Sequence, residues 1–312
     1  MNILTDSSIE FEHLSKSYGD HRVLSDLTAR VRPGSVTALL GPNGSGKTTA
    51  LRLLMGLERP DRGVARVGGY RIRELDAPYR HIGALLDASW VHPQRSALAH
   101  LAWIAQASGL PVRNAAGALE EVGLSDVGEK KVGTYSLGMR QRLGIASTLL
   151  GDPSVLVFDE PLNGLDRDGV EWVRSFFLDQ ADRGRTVLLS SHLLSEVDLT
   201  AGQVIVLGRG TVLYAGATAG LTDGSPVVEF DVDGSSETST AVTELAASRG
   251  WQLESGPPRR GVATYTVSGT NLSTVSAALT DAGLRVRRIQ DHGSLEEAYA
   301  RLTADRSDYI GR

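Results

Sequence analysis

The sequence predicts an α/β protein: a mostly parallel sheet covered on both faces, joined to a small α+β unit. Three observations predict it. A glycine-rich segment, Gly41-Pro42-Asn43-Gly44-Ser45-Gly46-Lys47-Thr48, lies between an apolar run and a helical stretch. Further apolar runs of strand length, Val155-Leu156-Val157-Phe158 and Thr186-Val187-Leu188-Leu189, are each followed by a helical pattern. Near 218–226, Gly220, Asp223, Gly224, Ser225 and Pro226 mark a change of composition that reads as a linker.

The elements follow in order. Residues 8–32 alternate apolar and polar in short runs, as antiparallel strands do. Val36-Thr37-Ala38-Leu39-Leu40 reads as a buried strand and 49–57 as the helix after the glycine-rich loop. A turn-rich hairpin is expected around Gly63, Gly68 and Gly69. Residues 96–150 carry apolar positions at helical spacing, broken by Gly109-Leu110-Pro111 and Gly123. Strand 154–158, helix 168–182, strand 186–190 and helix 192–201 continue the alternation. Beyond the linker the expected order is strand 227–232, helix 238–249, strands 251–255 and 262–268, helix 271–282, strand 284–290 and helix 294–304. That is a β-α-β-β-α-β unit of ferredoxin-like kind with one extra helix. The domain boundaries expected are 7–222 and 226–312, the second an accessory or dimerisation domain.

Composition bounds the function. The chain has 312 residues, 41% hydrophobic and 22% charged, as a soluble globular protein does. A net charge of −5 supplies no basic field for nucleic acid. The absence of cysteine excludes disulfides and thiolate metal sites. No run approaches the length of a membrane span, and Met1-Asn2-Ile3-Leu4-Thr5-Asp6 has neither the basic nor the apolar region of a signal peptide. A cytoplasmic protein is the expectation.

The motifs carry the chemistry. A glycine-rich loop between strand and helix turns backbone N–H groups inward, and the helix N-terminus adds partial positive charge. The pattern places Lys47 on β/γ-phosphates and the Thr48 hydroxyl on Mg²⁺, with residues 41–48 and Thr49 around the phosphates. Downstream, the apolar strand ends in Asp159-Glu160. Asp159 is the expected second Mg²⁺ partner, and Glu160 the base that polarises the attacking water. Tyr135-Ser136-Leu137-Gly138-Met139, just before a helical run over 143–150, offers a second phosphate-binding helix start at Ser136 and Gly138.

At this point the sequence resembles the nucleotide-binding subunits of ATP-binding-cassette (ABC) transporters, over residues 7–222. In that family the segment matching 135–139 completes the site of a partner subunit. Only Ser136 and Gly138 keep the family identities, although Arg140-Gln141-Arg142-Leu143 is also family-like. The resemblance implies a P-loop NTPase cassette of mostly parallel sheet, antiparallel β subdomain and helical subdomain. It implies that Tyr18 stacks on adenine and that His192 contacts the γ-phosphate. It also implies that Asn163-Gly164-Leu165-Asp166 touches the other subunit. The family commonly has a glutamine that contacts Mg²⁺ and the membrane subunit; this chain has Asp87 there, which the resemblance makes a further expected Mg²⁺ contact, directly or through a water. That acid, the Ser-Leu-Gly-Met segment and Ser294-Leu295-Glu296-Glu297-Ala298-Tyr299 resemble the bacitracin-resistance and lantibiotic-immunity exporters. The function so implied is an ATP- and Mg²⁺-dependent, energy-coupling ATPase of an exporter, a homodimer driving a separate multi-span permease. The competing reading is a soluble ABC ATPase acting on nucleic acid or ribosomes, against which stand the single cassette and the acidic balance.

Overall fold

The structure, a computed structural model, describes residues 6–87, 91–221, 227–256, 261–292 and 295–304. They form two compact units, Met1–Gly216 and Ala217–Arg312.

In the first unit, β1 (Ile9–Tyr18) and β2 (His21–Val31) pair antiparallel. Then come β3 (Val36–Leu40) and α1 (Lys47–Leu54), followed by β4 (Arg62–Val67), which joins the far side of β1. The expected hairpin is therefore a strand of a three-stranded sheet ordered β2-β1-β4. β5 (Ile82–Leu85) precedes the helical region α2 (Ala97–Ala107), α3 (Asn114–Glu121) and α4 (Leu137–Leu149). The chain continues with β6 (Val155–Phe158), α5 (Arg167–Asp182), β7 (Thr186–Ser191), α6 (Leu194–Asp198), β8 (Gln203–Gly208) and β9 (Thr211–Ala217). The large sheet runs β5-β6-β7-β3-β8-β9, with β3, β5, β6, β7 and β8 parallel. Every residue of β3, β6 and β7 is buried, as strands covered on both faces require. The strand order brings the C-terminal ends of β3, β6 and β7 together, and each of them carries a motif.

The structure corrects several boundaries. α1 starts at Lys47 rather than 49, because Gly46 turns into the left-handed region at φ 102 and opens the helix there; it ends early, where Gly56 again has positive φ. The helix expected over 143–150 starts at Leu137, because the Ser136 side chain supplies its cap. The helix expected over 192–201 is confined to Leu194–Asp198. β5, β8 and β9 are strands that the periodicity does not announce. In β5 the reason is packing: a Cβ on Gly83 would lie 2.1 Å from the Thr148 carbonyl oxygen, so α4 crosses the strand where only glycine fits.

The second unit contains α7 (Thr218–Leu221), where a linker was expected, while 222–226 lies outside the described residues. β10 (Val227–Asp233), α8 (Ser236–Arg249), β11 (Gln252–Ser255), β12 (Val262–Ser268), α9 (Leu272–Asp281), β13 (Val286–His292) and α10 (Leu295–Ala304) follow. The sheet order β11-β12-β10-β13, antiparallel throughout, is that of a ferredoxin-like unit. Val228, Phe230 and Val232 of β10 are buried with Val242, Tyr265, Val267, Val275 and Leu279. The intervening Glu229, Asp231 and Asp233 pair with Arg287 and Arg288. Ser294, from the C-terminal segment that resembles exporters, lies outside the described residues.

Candidate nucleotide site

The loop between β3 and α1 is shaped by its glycines. A Cβ on Gly41 would meet the Ser45 Oγ at 2.4 Å and the Leu207 carbonyl oxygen at 2.7 Å, so the backbone closes tightly there. Ser45 N donates to the Pro42 carbonyl at 3.1 Å. Pro42, Asn43, Gly44 and Thr48 are exposed, whereas Lys47 is only 6% exposed. Its Nζ donates to the Gly41 carbonyl at 2.7 Å and lies 3.3 Å from Glu160 Oε1. The Ser45 hydroxyl is buried and finds no hydrogen-bond partner among the described residues. A buried hydroxyl left so costs about 1–3 kcal/mol. A phosphate oxygen would satisfy it, and the loop fits a nucleotide on that ground.

β6 delivers the two acids, and β7 holds them. Ser190, fully buried in β7, donates its hydroxyl to Asp159 Oδ1 at 2.5 Å and accepts from Glu160 N at 2.8 Å. Glu160 has φ 48, a left-handed conformation costing on the order of 1 kcal/mol for a non-glycine residue. Its Oε1 faces Lys47, while its Oε2 lies 2.8 Å from His192 Nδ1 just past β7. Lys47, Glu160 and His192 thus form one connected group. Sequence reasoning missed Ser190 as a site residue; the signal was a serine closing an otherwise apolar strand.

Asp87, Asp159 and Glu160 line one cleft of about 670 Å³, with Arg140, Gln141 and Asn163 on its other walls. Among the described residues no cluster of three or more His, Asp or Glu side chains could hold a metal unaided. The Thr48 hydroxyl and Asp159 are oxygen donors of the kind Mg²⁺ takes, and phosphate oxygens with water would have to supply the remainder.

Tyr18, about half exposed, hydrogen-bonds Glu58 through its hydroxyl, and the Lys16 ammonium lies 5.3 Å from the ring centroid. Burial and then the Glu58 carboxylate push its phenol above the ordinary value, against the Thr49 hydroxyl, so the ring stays neutral. Thr49 itself is half-buried on α1. Ser136 caps α4 by accepting from Met139 N at 3.2 Å, and a Cβ on Gly138 would meet open space. Asp166 caps α5 by accepting from Gly169 N at 2.9 Å. Among the described residues, no hydrogen bond or ion pair joins Ser136, Gly138 or Asp166 to the loop at 41–48.

A glycine-rich phosphate loop, a strand-end acid pair and a histidine on adjacent parallel strands define a P-loop ATPase cassette. The ABC transporter family model matches residues 24–163. A bacitracin transport ATP-binding protein of Enterococcus faecalis is 36% identical over 205 residues, covering 65% of this chain and 67% of its own. A lantibiotic transport ATP-binding protein of Streptococcus pyogenes is 33% identical, covering 66% and 89%. A daunorubicin resistance ATP-binding protein of Streptomyces coeruleorubidus is 32% identical over 97% of this chain and 98% of its own. The solved ATP-binding subunit of an ABC transporter superposes with a TM-score of 0.61 at 28% identity, covering 69% of this chain and 92% of that one. The chain belongs to the ATP-binding subunits of ABC transporters. It is an ATPase, and no helix among the described residues is long and apolar enough to cross a membrane.

Proposed function

We propose that this chain is the energy-coupling subunit of an exporter for antibiotic-like compounds. Two copies close head to tail around two ATP and Mg²⁺, hydrolyse ATP and reopen, moving a separate multi-span permease from its cytoplasmic side. The observation that carries the reading is the connected group Lys47–Glu160–His192 at the mouth of the phosphate loop. Lys47 neutralises charge on the β/γ-phosphates, and Thr48 and Asp159 would hold Mg²⁺, which adds positive charge there. Glu160 takes the proton of the attacking water as its oxygen bonds to the γ-phosphorus and the bond to ADP breaks. His192 orients the Glu160 carboxylate and faces the γ-phosphate. Asp87 lines the same cleft as Asp159 and would meet Mg²⁺ directly or through a water.

Closure needs a second chain because Ser136, Gly138 and Asp166 have no link to the loop of their own chain. Ser136 and Asp166 are exposed and Gly138 is half-buried, which supports a homodimer in which each copy completes the other's site. For the permease, the apolar groove lined by Met55, Leu57, Tyr79, Leu86, Trp103 and Ile104 supports docking of a helix, since Leu57, Tyr79 and Trp103 are all more than half exposed. The relatives' names for bacitracin, lantibiotic and daunorubicin support the cargo class. The domain at 226–312 serves as the accessory or dimerisation unit.

Glu160→Gln tests the reading. Turnover is expected to fall at least roughly a hundredfold while ATP affinity persists, and an ATP-bound dimer accumulates on size exclusion. Normal hydrolysis by that variant would assign the base elsewhere.

A further inference from the structure

Arg142 belongs to no role described so far, yet it stands where three parts of the first unit meet. It lies in α4, on the helix capped by Ser136, and its guanidinium carbon sits 4.2 Å from the centroid of Trp172 in α5. Its Nη1 closes on the turn at Gly123, where an added Cβ would lie 3.6 Å away. Trp172 stacks on Phe176 at 5.6 Å, Phe176 meets Phe177 edge-on at 5.9 Å, and Phe177 packs on Phe158 at 4.8 Å. Phe158 is the last residue of β6, directly before Asp159 and Glu160. The aromatic file therefore runs without a gap from Arg142 to the strand end that carries the acids. Burial lowers the Arg142 pKa and the nearby Asp166 carboxylate opposes that, so charge attraction adds to the ring contact.

We propose that Arg142 is a positioning residue, holding the Ser136–Gly138 end of α4 in register with the Asp166 turn and, through Trp172, Phe176, Phe177 and Phe158, with Glu160. It rests on the reading that Ser136 and Gly138 complete a partner's site. A planar cation on an indole face is directional as well as attractive, so it fixes the rotation of α4 about its axis. Ammonium keeps the charge toward Asp166 but loses the flat contact. Packed rings transmit such a fixed rotation because a close-packed interior resists small displacements.

The test is turnover and ATP binding by the full chain carrying Arg142→Ala, Arg142→Lys, Trp172→Ala, Trp172→Phe and the double variant Arg142→Ala with Trp172→Ala. Arg142→Ala and Trp172→Ala are each expected to lower kcat roughly five- to thirtyfold, with ATP affinity within about twofold of the parent. The double variant should be no worse than either single one, since both break the same link. Arg142→Lys should resemble Arg142→Ala, and Trp172→Phe should recover most of the loss. Additive losses, parent-like turnover in Arg142→Lys, or ATP affinity falling in step with kcat would each overturn the proposal. Thermal melts identify a variant that misfolds; the lysine and phenylalanine variants then decide. Failure of Glu160→Gln alone to trap a dimer would indict the partner-site reading, whereas the kcat cycle on chains that retain Glu160 still judges Arg142.

Discussion

The N-terminal ends of α1 and α4 hold the same kind of backbone donors and leave them in different states. At α1 the cap is a left-handed glycine with no side-chain acceptor, the lysine beside it is buried, and a buried serine hydroxyl goes unpaired. At α4 the helix caps itself through Ser136, and the end is open to solvent. The first is an end kept unsatisfied by its own chain, at a cost in folding stability that a bound anion removes. The second is stable alone and has only weak reason to seek a ligand. In the dimer cycle proposed above, that contrast lets one chain hold nucleotide while the partner surface comes and goes.

Four perturbations break or sharpen this contrast. Lys47→Ala should remove turnover by about a thousandfold or more, since the buried cation faces both the loop and Glu160. Phosphate release at the parent's rate would refute the assignment of the loop. The helical region responds to acid. His100 in α2 is 2% exposed, and burial, with Arg95 nearby, lowers its pKa from 6.5 to about 4. The unfolded chain thus takes up the proton first as pH falls below 6.5, so stability declines down to about pH 4, by on the order of 2–3 kcal/mol. Denaturant midpoints of the parent should slide over that window, and those of His100→Phe should slide less. Equal pH slopes would remove His100 as the cause.

Ser45→Ala has opposite expected signs in its two readouts. The nucleotide-free chain gains roughly 1 kcal/mol as the unpaired hydroxyl disappears, while ATP affinity drops about tenfold. Loss of stability in the free chain would mean that the hydroxyl is satisfied within the fold. Smallest is Ser136→Ala, which loses a helix cap worth about 1 kcal/mol in thermal denaturation. ATP affinity of dilute chains should stay as it was, and turnover should fall. Weakened ATP binding in dilute chains would place Ser136 in its own chain's site.

Much of the site was legible because its chemistry is local. Residues 41–48 and the Asp159-Glu160 pair are read from contiguous strings, His192 comes from the family resemblance, and the parallel sheet brings the three strands together. What stayed hidden depends on contacts across the chain. Ser190 orders both acids from a neighbouring strand, which no spacing along the sequence announces. The true start of α4 was missed because the apolar periodicity begins later than the cap. β5 was missed because Gly83 interrupts its short apolar run, although the close crossing of α4 is what demands the glycine. Arg142 is only family-like in the sequence, since its partners Trp172 and Gly123 are remote from it along the chain.

The backbone at Glu160 carries a consequence for substitution at this position. A left-handed φ of 48 favours glycine or asparagine, so the glutamate sits where the folding preference points to another residue. With Glu160 as the proposed base, Glu160→Gly would relieve the backbone and abolish hydrolysis together.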